Sequence, residues 1–183
     1  MSTADGVRLR PLRFDDWSRV HEWGSSDTVC RYQPWGPNTL AETQEFVRAA
    51  VDAWSGRPQT RYAWAAVTVD QGVVGMGDLR IRSVKWRQLD FGYVVHLDHW
   101  GQGIATAIAR QITDFAFRTL GAHRVEATCD PRNLASARVL TKLGMTHEGR
   151  KRQVIELRDG WRDSDIYSIL EHEWSAVIPA AAP

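Results

Sequence analysis

A strand, a glycine-rich turn, a helix and a second strand follow one another between residues 89 and 129. Residues 89–97 and 123–129 are short apolar segments of strand length. Between them, residues 103–120 carry apolar side chains at helical spacing, and Gly121 marks the end of the helix; the stripe consists of Ile104, Ile108, Ile112 and Phe115. A helix between two neighbouring strands makes those strands parallel, so the fold must hold at least one parallel pair.

The rest of the chain is linked by hairpins. Strand-like residues 61–69 and 73–82 flank Asp70-Gln71-Gly72, and residues 146–157 and 161–171 flank Arg158-Asp159-Gly160. A first strand at 7–14 precedes the three further helices, which are expected up to about residue 23, at 39–54 and at 133–143. We therefore expect an α/β (α+β) fold with a mixed, mainly antiparallel central sheet of about seven strands and helices on both faces.

Length and composition limit the class of protein. The 183 residues fit one domain, expected at 1–174, with residues 175–183 as a flexible tail. The net charge of +1 gives no field that would attract nucleic acid or an anionic membrane, so neither is expected as a partner. The N-terminus lacks the features of a signal peptide, and Cys30 and Cys129 lack zinc spacing, which favours a cytoplasmic protein with two buried, reduced thiols and no metal.

The turn before the long helix carries the first functional signal. Gly101 and Gly103 let backbone amides approach a ligand, and a helix N-terminus presents unpaired N–H groups with a partial positive charge. Together these favour a bound phosphate. The segment has neither the Gly-Lys-Ser/Thr of a P-loop nor the GxGxxG of a dinucleotide site. By itself the turn is also compatible with a purely structural role.

The segment Trp100-Gly101-Gln102-Gly103-Ile104-Ala105 resembles the cofactor motif of the GNAT superfamily of N-acetyltransferases, (Arg/Gln)-x-x-Gly-x-(Gly/Ala), from which it departs at Trp100. The spacing from Tyr93 to Thr106 is similar to the RimJ/RimL branch of that superfamily. Three further segments resemble the branch in the same order, so that the similarity covers nearly the whole chain: an opening strand at 9–13, a helix at 133–145 and a closing hairpin at 148–167.

The resemblance implies a GNAT fold and acetyl-CoA as the co-substrate. Members splay two central strands and hold pantetheine in the gap, which places it here against the backbone of Val94, Val95 and His96. The pyrophosphate would bind the N–H groups of Gly101, Gln102, Gly103, Ile104, Ala105 and Thr106. Asn133 would bond the pantetheine arm through its amide, and it also suits a helix N-cap.

Acetyl transfer to an amine needs an oxyanion donor and a group that assists the leaving thiolate. An N–H of Val95 or His96 is expected to be free, because a splayed strand leaves such groups unpaired. Many superfamily members assist the thiolate with a tyrosine at the position of Leu140 here. The RimL-like pattern uses the serine at Ser136 instead, although an ordinary helix-capping serine would occupy the same position.

The amine must also lose a proton, and the sequence leaves several bases open. Asp90 lies on the strand where some superfamily members carry a catalytic glutamate, and Glu126 on the next strand is the rival. The His96 side chain and a chain of water molecules are further alternatives.

The acceptor pocket is expected at the first two helices, the loop between them and the last hairpin, with a mainly aromatic lining; the candidate residues are Arg31, Tyr32, Trp35, Trp86 and Trp161. This favours a primary amine on a protein N-terminus or a small molecule, including an antibiotic, whereas a polyamine would need an acidic cluster. A catalytically silent acyl-CoA-binding module and a longer acyl donor remain open. Relatives are often dimers, so a homodimer is expected.

Overall fold

The computed structural model describes residues 6–177. Seven strands form one sheet in the order β1-β2-β3-β4-β5-β7-β6. The strands are β1 Arg8–Pro11, β2 Arg61–Thr68, β3 Gly72–Ser83, β4 Gln88–Val95, β5 Arg124–Cys129, β6 Thr146–Leu157 and β7 Gly160–Leu170. The helices are α1 Trp17–Gly24, α2 Asp27–Cys30, α3 Leu40–Asp52, α4 Ile104–Arg118, α5 Leu134–Lys142 and α6 Glu171–Val177, with 3-10 turns at Phe14–Asp16, Ala53–Ser55 and Leu97–His99.

The sheet is antiparallel except between β4 and β5, which are parallel. The predicted mixed sheet, both hairpins and the strand–helix–strand unit of β4, α4 and β5 are therefore confirmed. The parallel pairing is short, since it joins only Gln88 to Arg124, Leu89 to Val125 and Asp90 to Glu126. Beyond Asp90, β4 continues to Val95 with β3 as its partner, and β5 continues with β7.

The two faces of the sheet are covered by different helices. Ile104, Ile108 and Ile112 of α4 are almost completely buried on one face, as the apolar stripe in the sequence predicts. On the other face, Trp23 of α1 and Val47 of α3 are buried in a second cluster. Because side chains alternate along a strand, Val94 packs into the second cluster while Val95 packs into the first.

The second helix on that face begins as the sequence predicts. Thr39 caps α3, because its hydroxyl accepts from the N–H of Glu42 while the Glu42 carboxylate accepts from the N–H of Thr39. This reciprocal pair satisfies two of the amides that a helix N-terminus leaves without partners.

The end of the chain differs from its prediction. A flexible tail is predicted from residue 175, but α6 extends through residues 175–177; residues 178–183 lie outside the described residues. Helix α6 is held by tertiary contacts: the Trp174 ring stacks on Phe117 and its Nε1 donates to Asp114 at 3.3 Å. Cys30 and Cys129 are buried free thiols, as expected. None of the helices in residues 6–177 has the length and hydropathy required to cross a bilayer.

Candidate active site

The divergence of β4 and β5 opens a cleft of about 510 Å³ in the middle of the sheet. Backbone from Tyr93 to Val95 forms its floor, the start of α4 and the turn before it form one wall, and α5 forms the other. Helix α2 and the residues after it close the far end. A cleft of this size is large enough for an extended small-molecule ligand.

The backbone of β4 turns unpaired N–H groups, including that of Val95, to the floor of the cleft. In an antiparallel ladder, successive residues direct their N–H and C=O groups to alternate sides. The N–H of His96 donates to the Val74 carbonyl at 2.9 Å, so it faces β3. The N–H of Val95 therefore points to the opposite side, where β5 has already diverged.

This arrangement decides which of the two predicted oxyanion donors, the N–H of Val95 or that of His96, is available. An oxyanion role for the N–H of His96 is wrong, because β3 already occupies that group. The Val95 carbonyl, on the cleft side, accepts a hydrogen bond from Trp100 Nε1 at 2.8 Å. Trp100, the position that departs from the GNAT motif, thus fastens the glycine turn to the strand end and leaves the Val95 N–H as the candidate donor.

The glycine turn presents the first amides of α4 to the cleft. Gly101 and Gly103 have φ of +76° and +79°, a region that favours glycine. Gly103 occupies the N-cap position of α4 and gives no side-chain cap, and the first helical bond runs from Ala107 N–H to Gly103 C=O at 3.0 Å. The N–H groups of Ile104, Ala105 and Thr106 consequently lack intrahelical partners, as an anion site requires.

Gln102 has a different position from its neighbours. Its side chain donates to the Asp98 carbonyl at 3.1 Å and stabilises the turn, and it is not among the residues that line the cleft.

Asn133 stands at the start of α5 on the opposite wall. Its Oδ1 accepts from the N–H of Ser136 at 3.1 Å, which confirms the N-cap prediction. The cap uses only the oxygen of the amide, so the Nδ2 group is left to donate elsewhere. The bond from this amide to pantetheine stays a prediction.

Ser136 meets a tyrosine that sequence reasoning overlooked. The hydroxyl of Tyr93 lies 3.0 Å from Ser136 Oγ, and both residues line the cleft. Burial raises the pKa of Tyr93 to about 12, so its phenol stays protonated in neutral solution. Leu140, at the position of the tyrosine in many superfamily members, is fully buried in the core. The only sequence signal for the pair was the position of Tyr93 in the resemblance to the RimJ/RimL branch.

The two predicted carboxylate bases lie away from the cleft. Asp90 pairs with Arg82 at 2.6 Å, and burial raises the pKa of its carboxyl. Glu126 pairs with Arg124 at 2.7 Å. Asp90 and Glu126 face each other where β4 and β5 are still paired, at the opposite end of β4 from the glycine turn, and neither lines the cleft.

The predicted acceptor residues are only partly brought together. Tyr32 lines the cleft, and the guanidinium groups of Arg31 and Arg132 lie 5.3 and 5.4 Å from the centre of its ring. Trp35 follows in the same loop and is 37% exposed. Trp161 is 56% exposed near the tip of the β6–β7 hairpin.

Trp86 is the outlier of the predicted acceptor set. It lies in the turn between β3 and β4, at the end of β4 far from the cleft, and is 62% exposed.

The charged side chains that line the cleft are all basic. Its charged side chains are Arg132, Arg138 and Lys142, and no Asp or Glu of residues 6–177 lines it. The end of the cleft at α2 and the residues after it adds the uncharged side chains of Thr28, Val29, Tyr32 and Gln33. Nor do three or more His, Cys, Asp or Glu side chains converge as a metal site anywhere in the described part of the chain.

Known proteins resemble this chain over most of its length. Residues 7–146 match the family described as Acetyltransferase (GNAT) domain. YnaD of Bacillus subtilis, named as an uncharacterized N-acetyltransferase, is 27% identical over 173 residues, which cover 94% of this chain and 98% of YnaD. Spermidine N(1)-acetyltransferase of Escherichia coli K12 is 24% identical over 179 residues, which cover 96% of this chain and 92% of that enzyme.

Solved structures agree. A GNAT-family acetyltransferase from Bacillus anthracis superposes with a TM-score of 0.79 at 28% identity, covering 91% of this chain and 96% of its own. Spermidine N-acetyltransferase from Vibrio cholerae, in complex with CoA and spermine, has a TM-score of 0.81 at 16% identity, with 93% and 98% covered. Mycobacterium smegmatis RimJ, in complex with CoA-disulfide, superposes with a TM-score of 0.81 at 24% identity, covering 96% of this chain and 85% of its own. The last two show the fold alone.

The splayed sheet, the glycine turn and these matches define an N-acetyltransferase enzyme. The chain belongs to the GNAT acetyltransferase family. Its membership confirms the fold and reaction class that the resemblance implied, whereas the RimJ/RimL branch rests on one structural neighbour of low identity.

Proposed function

We propose that the protein transfers the acetyl group of acetyl-CoA to a single primary amine, on a protein N-terminus or a small molecule, by direct attack in a ternary complex of the RimJ/RimL kind. The observation that carries the proposal is the divergence of β4 from β5 beyond Asp90. It leaves the Val95 N–H free at the floor of the cleft. The unpaired N–H groups at the start of α4 line the same cleft.

The cleft residues fit the parts of acetyl-CoA. The N–H groups from Gly101 to Thr106 suit the pyrophosphate, because oriented amides and the helix dipole favour anions. The Asn133 Nδ2 group and the backbone of Tyr93 to Val95 offer hydrogen bonds to the amides of pantetheine.

Two groups of the chain act on the charges that develop during transfer. The Val95 N–H donates to the oxyanion of the tetrahedral intermediate; removal of one such donor typically costs about 10²–10³ in kcat. The Tyr93 hydroxyl lies 3.0 Å from Ser136 Oγ; when the phenol is the donor of this bond, the Ser136 hydroxyl hydrogen is left to point at the leaving thiolate. Both side chains are neutral hydroxyls at neutral pH, which suits a donor to an anion.

The charge of the cleft argues for an acceptor with one amine. A polyamine keeps further positive charges after one amine is deprotonated, and the described lining of the cleft offers no carboxylate to pair with them. Spermidine acetyltransferases are among the relatives, so polyamine acetylation is the second candidate. The lack of an acidic residue in the described lining favours the first.

Product mass spectrometry tests the proposal. The protein is incubated with acetyl-CoA and, separately, with peptides of varied N-terminal residue, simple monoamines, aminoglycosides, spermidine and spermine, while a thiol reagent follows CoA release. We expect one acetyl group on a monoamine or peptide α-amine, with kcat/KM at least 10-fold above that for spermidine. Preference for spermidine would establish the second candidate. Binding of acetyl-CoA without thiol release on any acceptor would establish a silent binding module.

The same assay with propionyl-CoA and butyryl-CoA compares acyl donors, and acetyl-CoA is expected to react fastest. The cytoplasmic location and the homodimer stay predictions.

A further inference from the structure

The reaction requires a proton acceptor for the amine, and the predicted carboxylates do not reach the cleft. The ionisable side chains that line the cleft in the described part of the chain are Tyr32, Tyr93, His99, Arg132, Arg138 and Lys142. At neutral pH tyrosine is already protonated, and lysine and arginine are already charged. His99 is thus the one side chain of this lining that can take up a proton at neutral pH.

His99 is placed by the end of β4. It closes the 3-10 turn Leu97–His99, where its N–H donates to the His96 carbonyl at 3.0 Å. Trp100 follows directly, and its Nε1 donates to the Val95 carbonyl, so His99 lies on a short segment that is hydrogen-bonded on both sides and follows the Val95 end of β4. The position lies at the end of the strand where the thioester carbonyl is expected.

The imidazole of His99 is buried yet lacks partners. It is 9% exposed, and its Nδ1 is a buried atom without a hydrogen bond. Such orphaned atoms are uncommon in folded proteins and point to a partner such as a bound water or a ligand. His96, by contrast, is fully engaged: its Nδ1 accepts from the N–H of Asp98 at 3.2 Å and its Nε2 lies 3.3 Å from Glu22.

The surroundings of His99 favour its neutral form. Burial is the largest cause and lowers the pKa of the imidazole; the ring of His96, 5.6 Å away, and Arg19 of α1 act in the same direction. Asp98 opposes them. Glu22 of α1 contacts His96 and is also paired with Arg19. A neutral imidazole at pH 7 is the form that a base requires.

We propose that His99 is the general base of the acetyl transfer, an inference that rests on the proposed function. As the amine nitrogen forms its bond to the acetyl carbon, one N–H proton passes to a ring nitrogen of His99. The oxyanion collapses and the carbon–sulfur bond breaks; the thiolate, stabilised by Ser136, takes one proton from solvent to give free CoA, and the His99 imidazolium returns one proton to solvent. Protons, charge and bonds balance without any further reactant.

The pH dependence of His99→Gln and His99→Ala tests the assignment. In the wild type, kcat at saturating amine falls as pH drops through the pKa of His99, which burial lowers from the ordinary histidine value. In both variants we expect that acidic limb to disappear and kcat at pH 7 to fall by about 10²-fold or more, with KM for acetyl-CoA within about 2-fold. Added imidazole should restore part of the rate of His99→Ala, an effect that a structural role would not produce.

His172→Gln is the matched control, because His172 is exposed on α6. It should keep the wild-type profile. Wild-type kinetics in both folded His99 variants would overturn the assignment while leaving the proposed function intact, and absence of any acetyl transfer by the wild type would instead overturn the proposed function. If the variants do not fold, NMR titration of the wild-type His99 ring decides: its pKa must match the acidic limb, and a mismatch overturns the assignment.

Discussion

The hydroxyl pair of Tyr93 and Ser136 joins residues that are far apart in the chain, one on β4 and the other in the first turn of α5. The backbone of each has a separate local reason for its place: β4 pairs with β3 through the register of Tyr93 with Gly77, and α5 starts at the Asn133 cap. Their meeting depends on how far the sheet has opened between the two elements, which no local pattern encodes.

Removal of one member of this pair should reduce the turnover number. We expect Tyr93→Phe to lower kcat by about 5- to 10-fold, because it deletes one hydrogen bond worth about 1 kcal/mol to Ser136, with KM for acetyl-CoA nearly unchanged. Ser136→Ala should lower kcat further, and the double variant should match Ser136→Ala alone. Steady-state kinetics of the wild type, the two single variants and the double variant form a double-mutant cycle. Additive effects on kcat would show that the two hydroxyls act independently.

A second residue-level prediction concerns stability in acid. Glu148 accepts hydrogen bonds from Arg124 and Ser168, and the arginine pair is the main reason that the pKa of its carboxyl is lowered to about 2 from 4.5. A carboxylate whose folded pKa is depressed stabilises the fold above its unfolded pKa. This contribution is lost as pH falls from about 4.5 to about 2.

Glu148→Gln should therefore reduce stability at pH 7 and weaken the dependence on pH between those limits, as measured by urea unfolding at several pH values. Glu45→Gln, an exposed carboxylate on α3, is the control and should leave the curve unchanged. An unchanged acid limb in Glu148→Gln would contradict the assignment.

At the level of elements, β3 supports the cleft by an unusually close approach to β4. A Cβ at Gly75 would lie 2.5 Å from the Val94 carbonyl oxygen and 3.1 Å from Val95 Cα. Both are backbone atoms, so a side chain here must displace the strand that carries the Val95 N–H. Glycine at this position thus links sheet packing to the geometry of the proposed oxyanion donor.

Gly75→Ala should cost about 1–3 kcal/mol of unfolding free energy and lower kcat/KM by at least 10-fold, because small displacements of reacting groups are expensive. Gly92→Ala is the matched control on β4, since a Cβ there meets no atom within 4 Å. Thermal unfolding and steady-state kinetics give both quantities. Normal activity in folded Gly75→Ala would show that β4 tolerates the displacement.

The elements themselves were largely predictable, because apolar periodicity and turn residues are local. The two short helices α2 and α6 could not be predicted in this way. Helix α2 has only four residues, and α6 is held by Trp174 against Phe117 and Asp114, contacts that a local pattern does not contain. The glycine turn at the start of α4 was predictable from one contiguous motif. Asp90 and Glu126 were candidates because the neighbouring strands were predicted, but the point at which β4 and β5 diverge is a tertiary property.

At the scale of the whole molecule, the last hairpin reaches across to the first helices. Arg158, at the β6–β7 turn, donates to Asp27 of α2 at 2.8 Å, and Arg132 lies 3.6 Å from Asp159. Both contacts are exposed, so they add little to stability. They hold the hairpin tip, with Trp161, beside α2, at the end of the cleft where we propose that the acceptor binds.

Arg158→Ala should accordingly raise KM for the acceptor several-fold while changing the unfolding free energy by less than about 0.5 kcal/mol. KM for acetyl-CoA should stay unchanged, since the cofactor residues lie on other elements. Arg152→Ala, an exposed arginine of β6, serves as the control. Equal changes in both KM values would mean that the hairpin tip does not act specifically on the acceptor.

The central claim is that the cleft between the diverging strands holds acetyl-CoA. A crystal structure of the protein grown with CoA tests it most directly. We expect the pyrophosphate to accept hydrogen bonds from the N–H groups between Gly101 and Thr106, and pantetheine to run along Tyr93 to Val95 toward Ser136. CoA bound elsewhere, or an empty cleft at saturating CoA with β4 and β5 still apart, would contradict the account.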